Sequence, residues 1–169
     1  MRWLILIFAL IACTSPDPAA AQNKIALVIG NDLNGSLLGN PARDSKIVGE
    51  ALQTIGFKLV GGQPLVGLNK QAMDERAEEF TKLAKNADIA LFYFSGHGMQ
   101  LNNTNYLVPV GFESGKSPIV HALNVTVLME ELARSQARVK IILLDACRTP
   151  FTRGATVSHQ CKTSREMEL

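Results

Sequence analysis

The sequence lacks several features that would place it in large functional classes. Its unbroken apolar stretch, Trp3 to Ala12, is only ten residues. A helix crossing roughly 30 Å of hydrocarbon needs about 20, so no transmembrane span is expected. There is no basic run, and the net charge of +2 is small, which excludes an electrostatic nucleic-acid binder. No GxGxxG or GxxxxGK[ST] loop is present, which argues against a flavodoxin-like nucleotide binder. Internal repeats and low-complexity tracts are also absent. There are three cysteines, and the role of each can be weighed singly.

What remains is a chain of 169 residues, 47% apolar and 19% charged. That is enough for one globular domain with a sizeable core. The first 21 residues have the layout of a secretory signal peptide. Arg2 precedes the apolar run, and Pro16, Pro18 and Ala19-Ala20-Ala21 follow it. Cleavage after Ala21 is expected, giving an exported, periplasmic or extracellular protein. Leu10-Ile11-Ala12-Cys13 also resembles a lipobox, so a lipid anchor on Cys13 is the alternative. The mature chain keeps Cys147 and Cys161. In an oxidising compartment these have the option of a disulfide, which would disable Cys147 as a nucleophile.

Strand and helix signals alternate. Lys24 to Gly30 is a continuous apolar run ending in glycine and reads as a buried parallel strand. Asn31 to Asn40 reads as a loop, in which Asp32 is a turn former. Pro41 opens a helix in which Ile47, Val48, Ala51, Leu52 and Ile55 recur at helical spacing, and Gly56 stops it. Phe57 to Val60 is a short strand closed by Gly61-Gly62. From about Lys70 to Lys85 a helix turns Met73, Ala77, Phe80 and Ala84 inward. Its outer face carries Asp74, Glu75, Glu78, Glu79 and Lys82, a solvated face with i,i+4 pairs such as Glu78–Lys82. Asp88 to Ser95 is a third buried strand. Asn105 to Val110 is extended, and Pro109 suits an edge or hairpin. Leu123 to Ser135 is a helix with Val127, Leu128 and Leu132 facing in, and Arg138 to Asp145 is a fourth strand. The pattern implies βαβ units, right-handed crossovers and a mostly parallel sheet flanked by helices.

Ligands bind such sheets at the carboxyl ends of the strands. Two strands end in chemically capable residues: Ser95-Gly96-His97-Gly98 and Asp145-Ala146-Cys147-Arg148. If these strands are neighbours, His97 and Cys147 project from the same edge. An imidazole beside a thiol lowers its pKa and moves protons for a thiolate nucleophile. Gly96 and Gly98 allow close approach of a substrate backbone, and the amides of Gly98 and Cys147 are candidate oxyanion donors.

Together YFSGHG (93–98) and LLDACR (143–148), 50 residues apart from His97 to Cys147, resemble the two signature blocks of the caspase-like cysteine peptidases. ALVIGN (26–31) resembles the family's first strand, and Asn105 to Pro109 the segment after its histidine block. The resemblance runs from about Lys24 to Phe151. It implies an α/β caspase-haemoglobinase fold over residues 22–151, with a His97/Cys147 dyad, a protein or peptide substrate and no cofactor for the chemistry. Within the family the chain is closer to the metacaspase and bacterial branches, because Asp145 stands where animal caspases carry Gln. In that branch Asp145 and Asp44 would bind a basic side chain through charge-assisted hydrogen bonds, giving cleavage after Arg or Lys. The acidic calcium cluster of some metacaspases is not recognisable.

Simpler readings stand beside these. Cys147 has the alternative of a small buried hydrophobe. Asp145 would then cap the turn or order Arg148. Asp44, in the first turn of its helix, would offset the helix dipole. Arg43 is solvated or pairs with these carboxylates. His121 and His159 have no partner pattern. A zinc site from Cys147, Cys161 and His159 fits no ligand spacing, so no metal is expected.

The family continues beyond its nucleophile with a small-subunit part that adds strands and much of the specificity pocket. Here only 22 residues follow Cys147, and 152–169 reads as an irregular tail. The small-subunit part is therefore expected to be missing, with the Cys147 strand left at an open sheet edge. A partner chain completing the sheet, or a non-catalytic module acting through partner binding, is the alternative to an active peptidase.

Overall fold

The computed structural model describes residues 22–32, 40–113, 115–146 and 149–150. In chain order the elements are strand β1 (Lys24–Asn31), helix α1 (Asn40–Thr54), β2 (Phe57–Leu59), a 3-10 turn (Val60–Gly62), β3 (Leu65–Val66) and α2 (Lys70–Ala84). Then follow β4 (Ile89–Gly96), β5 (Gly98–Leu101), β6 (Thr104–Leu107), α3 (Pro118–His121), β7 (Leu123–Asn124), α4 (Val125–Ala133), β8 (Val139–Ala146) and β9 (Thr149–Pro150).

The main sheet is parallel, in the order β2-β1-β4-β8, with β3 adding to the far end of β1. The buried runs at 24–31 and 89–96 form its centre, as continuous apolar strands in a parallel sheet must. Alternate side chains feed two cores. Ile25, Leu27, Ile29, Phe92 and Phe94 pack with Met73, Phe80, Leu128 and Leu132 of α2 and α4. Ala26, Val28, Leu91 and Tyr93 face the other way, toward Leu52 and the β2 residues Phe57 and Leu59. Helices thus cover both faces, giving the α/β layering expected.

Helix α2 buries the four residues that its periodicity singles out, Met73, Ala77, Phe80 and Ala84. Asn69 caps it, its side chain accepting from the Ala72 amide at 2.9 Å. The exposed Glu78–Lys82 pair forms at 2.6 Å.

Helix α1 corrects the sequence reading. Its buried residues are Ala42, Ser45, Gly49 and Leu52, while Ile47 and Ile55 are exposed. The cause is close packing of small residues. A Cβ on Gly30 would fall 2.2 Å from the Pro41 carbonyl oxygen, and one on Gly49 would fall 2.3 Å from Pro64 Cγ. The helix therefore docks through its small face rather than through its largest apolar side chains. In α4, Leu128 and Leu132 are buried as expected and Val125 with them, while Val127 is exposed. Asn31 belongs to β1 and is fully buried, not part of a loop.

A second, four-stranded sheet in the order β7-β6-β5-β9 adjoins the carboxyl end of the first. Its β5–β6 hairpin turns through Asn102 and Asn103, both at positive φ, as a two-residue hairpin of this hand requires. Sequence patterning shows β6 but misses its short partner β5. Among the described residues no helix is long and apolar enough to cross a membrane. Residues 1–21, with Cys13, and 151–169, with His159 and Cys161, lie outside the described residues.

Candidate active site

The site forms where β1, β4 and β8 end together. Their registers are parallel, with Asn31 opposite Gly96 and Gly96 opposite Ala146. The residues that follow β1 and β4, Asp32 and His97, leave the sheet at the same edge. Cys147 and Arg148 themselves lie outside the described residues. Beyond them β9 pairs in parallel with β5, Thr149 opposite Met99. A cavity of about 110 Å³ adjoins this place, lined by residues that include Gly98, Tyr106, Leu107, Leu144 and Ala146. The larger groove between α2 and α4 is lined by none of the predicted site residues.

His97 is mostly buried, with its side chain 17% exposed. Its backbone carbonyl accepts from the Val108 amide at 2.9 Å, which ties the turn to the residue after β6. That bond makes Gly98 and Leu107 a non-hydrogen-bonded antiparallel pair, so the Gly98 N–H points away from β6. Gly96 is required by close approach. Its φ is 154°, and a Cβ there would lie 2.4 Å from the Asn31 carbonyl oxygen.

The two carboxylates expected in substrate binding both lie on the α1 side of the sheet. Asp145 is opposite Ser95 in register and exposed, and Asp44 is half-buried on α1. They converge electrostatically on one group, the Tyr93 hydroxyl. Burial pushes its pKa above the usual value of 10.0, a hydrogen bond with Ser95 pulls it down, and the charges of Asp145 and then Asp44 push it up. Asp44 is not in the first turn of α1, which contains no acidic residue, so the dipole-offset reading loses its ground. Arg43 is exposed and donates to the Asn40 side chain at 2.8 Å rather than to either carboxylate.

Sequence reasoning missed Asp32, whose Oδ1 lies 3.9 Å from His97 Nε2. It also missed Asn31, which clamps the end of β1. Its Nδ2 donates to the Leu68 carbonyl, and its Oδ1 accepts from the Leu68 amide, each at 2.9 Å. The only sequence signal for Asp32 is its place directly after a buried strand, which the turn-forming habit of Asp masks.

The chain is thus a parallel sheet covered by helices on both faces, with His97 and Asp32 side by side at the strand ends and Asp145 and Asp44 on the α1 side. The family model described as the caspase domain, a peptidase domain, matches residues 23–168. The chain therefore belongs to the caspase-domain peptidase family, and its fold is the caspase-haemoglobinase α/β fold. No curated protein matches it.

Proposed function

We propose that this chain is a cysteine endopeptidase with a His97/Cys147 dyad, of the metacaspase-like branch, cleaving after Arg or Lys. One observation carries the reading: the described residues on both sides of Cys147 are paired with those on both sides of His97. Ala146 is opposite Gly96, and Thr149 is opposite Met99. The offset between partners is the same before and after the two residues, and consecutive Cα atoms are about 3.8 Å apart. Family membership supports a peptidase independently.

In this mechanism the Cys147 thiolate attacks the scissile carbonyl carbon and forms a tetrahedral oxyanion. The amides of Gly98 and Cys147 hold that oxygen, in line with the direction of the Gly98 N–H away from β6. As the C–N bond breaks, His97 passes its proton to the leaving amine. A thioester on Cys147 remains, which water hydrolyses with His97 as base. Asp44 and Asp145 bind the basic side chain before the scissile bond. Support comes from their shared influence on Tyr93, which puts both charges within reach of one place on the α1 face.

The test compares Arg-, Lys- and Asp-terminated fluorogenic peptides on the parent, His97→Ala and Cys147→Ala proteins. Cleavage after Arg or Lys that disappears in both variants is expected. Cleavage after Asp, or reactivity of Cys147 with an Arg-chloromethylketone that is unchanged in His97→Ala, would overturn the assignment.

A second reading is favoured by the β8 edge. Among the described residues β8 has no neighbour on its outer side, and Val139 and Leu143 are 46% and 47% exposed there. A chain that completes the sheet at this edge would act as partner, with the domain either activated by it or serving as a non-catalytic binding module. Residues 1–21 support export with cleavage after Ala21, or lipidation at Cys13. N-terminal sequencing and mass determination of the mature protein distinguish the two.

A further inference from the structure

We propose that Asp32 is a positioning residue for His97, its carboxylate fixing the tautomer and orientation of the imidazole. The inference rests on the dyad reading above and goes beyond it by adding an acidic third member. The two side chains meet at 3.9 Å, Oδ1 to Nε2, and are 22% and 17% exposed. Partial burial of both means that their interaction is less screened than between two surface groups.

The backbone makes this meeting a consequence of register. Asn31 is opposite Gly96 in the parallel β1–β4 ladder, so Asp32 and His97 are the next residue on each of two adjacent strands. The end of β1 is rigidly held, because Asn31 is locked to both backbone polar groups of Leu68 and reaches Met73 Sδ at 3.3 Å. The end of β4 is held from the other side by the bond from Val108 to the His97 carbonyl. Neither backbone needs to move for the side chains to engage.

A separation of 3.9 Å exceeds a hydrogen bond. A small rotation of either side chain, or one bridging water, closes it, and such contacts commonly tighten when substrate binds. A carboxylate on the Nε2 side favours the proton there and leaves Nδ1 as the basic nitrogen. It also stabilises the imidazolium that forms when Cys147 gives up its proton. Asp32 touches neither the thiol nor the substrate in this scheme and works only through His97.

The experiment measures Arg-peptide hydrolysis by Asp32→Ala and by the near-isosteric Asp32→Asn in the full chain, with folding checked by circular dichroism. In parallel, nitrogen–proton NMR correlation spectra of the histidines, assigned with His97→Ala, report the tautomer of His97. Expected are a fall in kcat of about 10- to 100-fold with KM within about twofold in both variants, and a shift away from the Nε2–H tautomer. Asp32→Ala should have no further effect in a His97→Ala background. Unchanged kcat, a change confined to KM, or an unchanged tautomer in either folded variant would overturn the proposal. If the parent cleaves no peptide, the dyad reading fails, and the tautomer alone decides whether Asp32 orients His97.

Discussion

Gly96 and Ala146 are partners in parallel register between β4 and β8, each one residue before a predicted member of the dyad. The relationship brings two distant sequence blocks to the same edge of the sheet. It rests on a constant offset of 50 residues held over eight paired positions along both strands, so anything that slips this register shifts the strand ends relative to each other.

Gly96→Ala should therefore be costly. The added Cβ would fall 2.4 Å from the Asn31 carbonyl oxygen at a φ of 154°, where backbone rather than a flexible side chain would have to yield. A loss of roughly 2–4 kcal/mol is expected, measured by urea unfolding. Peptidase activity should fall even in the protein that remains folded, because β1 is pushed from β4 at the site.

Asp44→Asn and Asp145→Asn should each weaken cleavage after Arg chiefly through KM, by about 10-fold or more for a lost charge-assisted contact. Steady-state kinetics on matched Arg and uncharged peptides check this. Equal losses on both peptides would show that the carboxylates do not read the basic side chain.

Tyr93 provides an independent probe of those charges. Its hydroxyl pKa is raised in the folded state, mainly by burial and further by Asp145 and Asp44. A raised pKa means that the unfolded chain loses this proton first. The stability contributed is complete below about pH 10 and is lost as pH rises through the folded value. Alkaline unfolding should begin above that point. Ultraviolet titration of Asp145→Asn should find tyrosinate forming at lower pH than in the parent, because one of the opposing charges has gone.

The β8 edge should make the isolated chain self-associate. Strand edges without a neighbour and with exposed apolar side chains template pairing; among the described residues β8 has no outer neighbour, and Val139 and Leu143 are exposed on it. Analytical ultracentrifugation should show association that rises with concentration and falls in Leu143→Lys. A clean monomer with a cooperative melt in the parent would argue that the edge is covered.

Helix α2 and the central strands were legible because each has one dominant signal: four inward residues at helical spacing, or an unbroken apolar run. Helices α1 and α4 were legible as helices, and Leu52, Leu128 and Leu132 face the core as expected, but not every residue of their expected stripes does. Ile47, Ile55 and Val127 suggested an inner stripe, yet close contact through Gly30, Gly49 and Ser45 decided how α1 docks. Periodicity counts apolar residues and does not see which face permits the shortest distance. Family membership was legible from the two blocks and their spacing, and the match to residues 23–168 agrees.

The sequence by itself determined the layered α/β class and the presence of a histidine and a cysteine at the ends of two apolar strands. Those are local properties: hydrophobic runs, glycines and the residues that follow them. Only tertiary structure decided that β4 lies between β1 and β8, and so which strand ends meet. Strand order and register are set by long-range packing across both faces of the sheet, and no local pattern encodes them. That is why Asp32 reads as a turn residue in the chain and stands beside His97 in the fold.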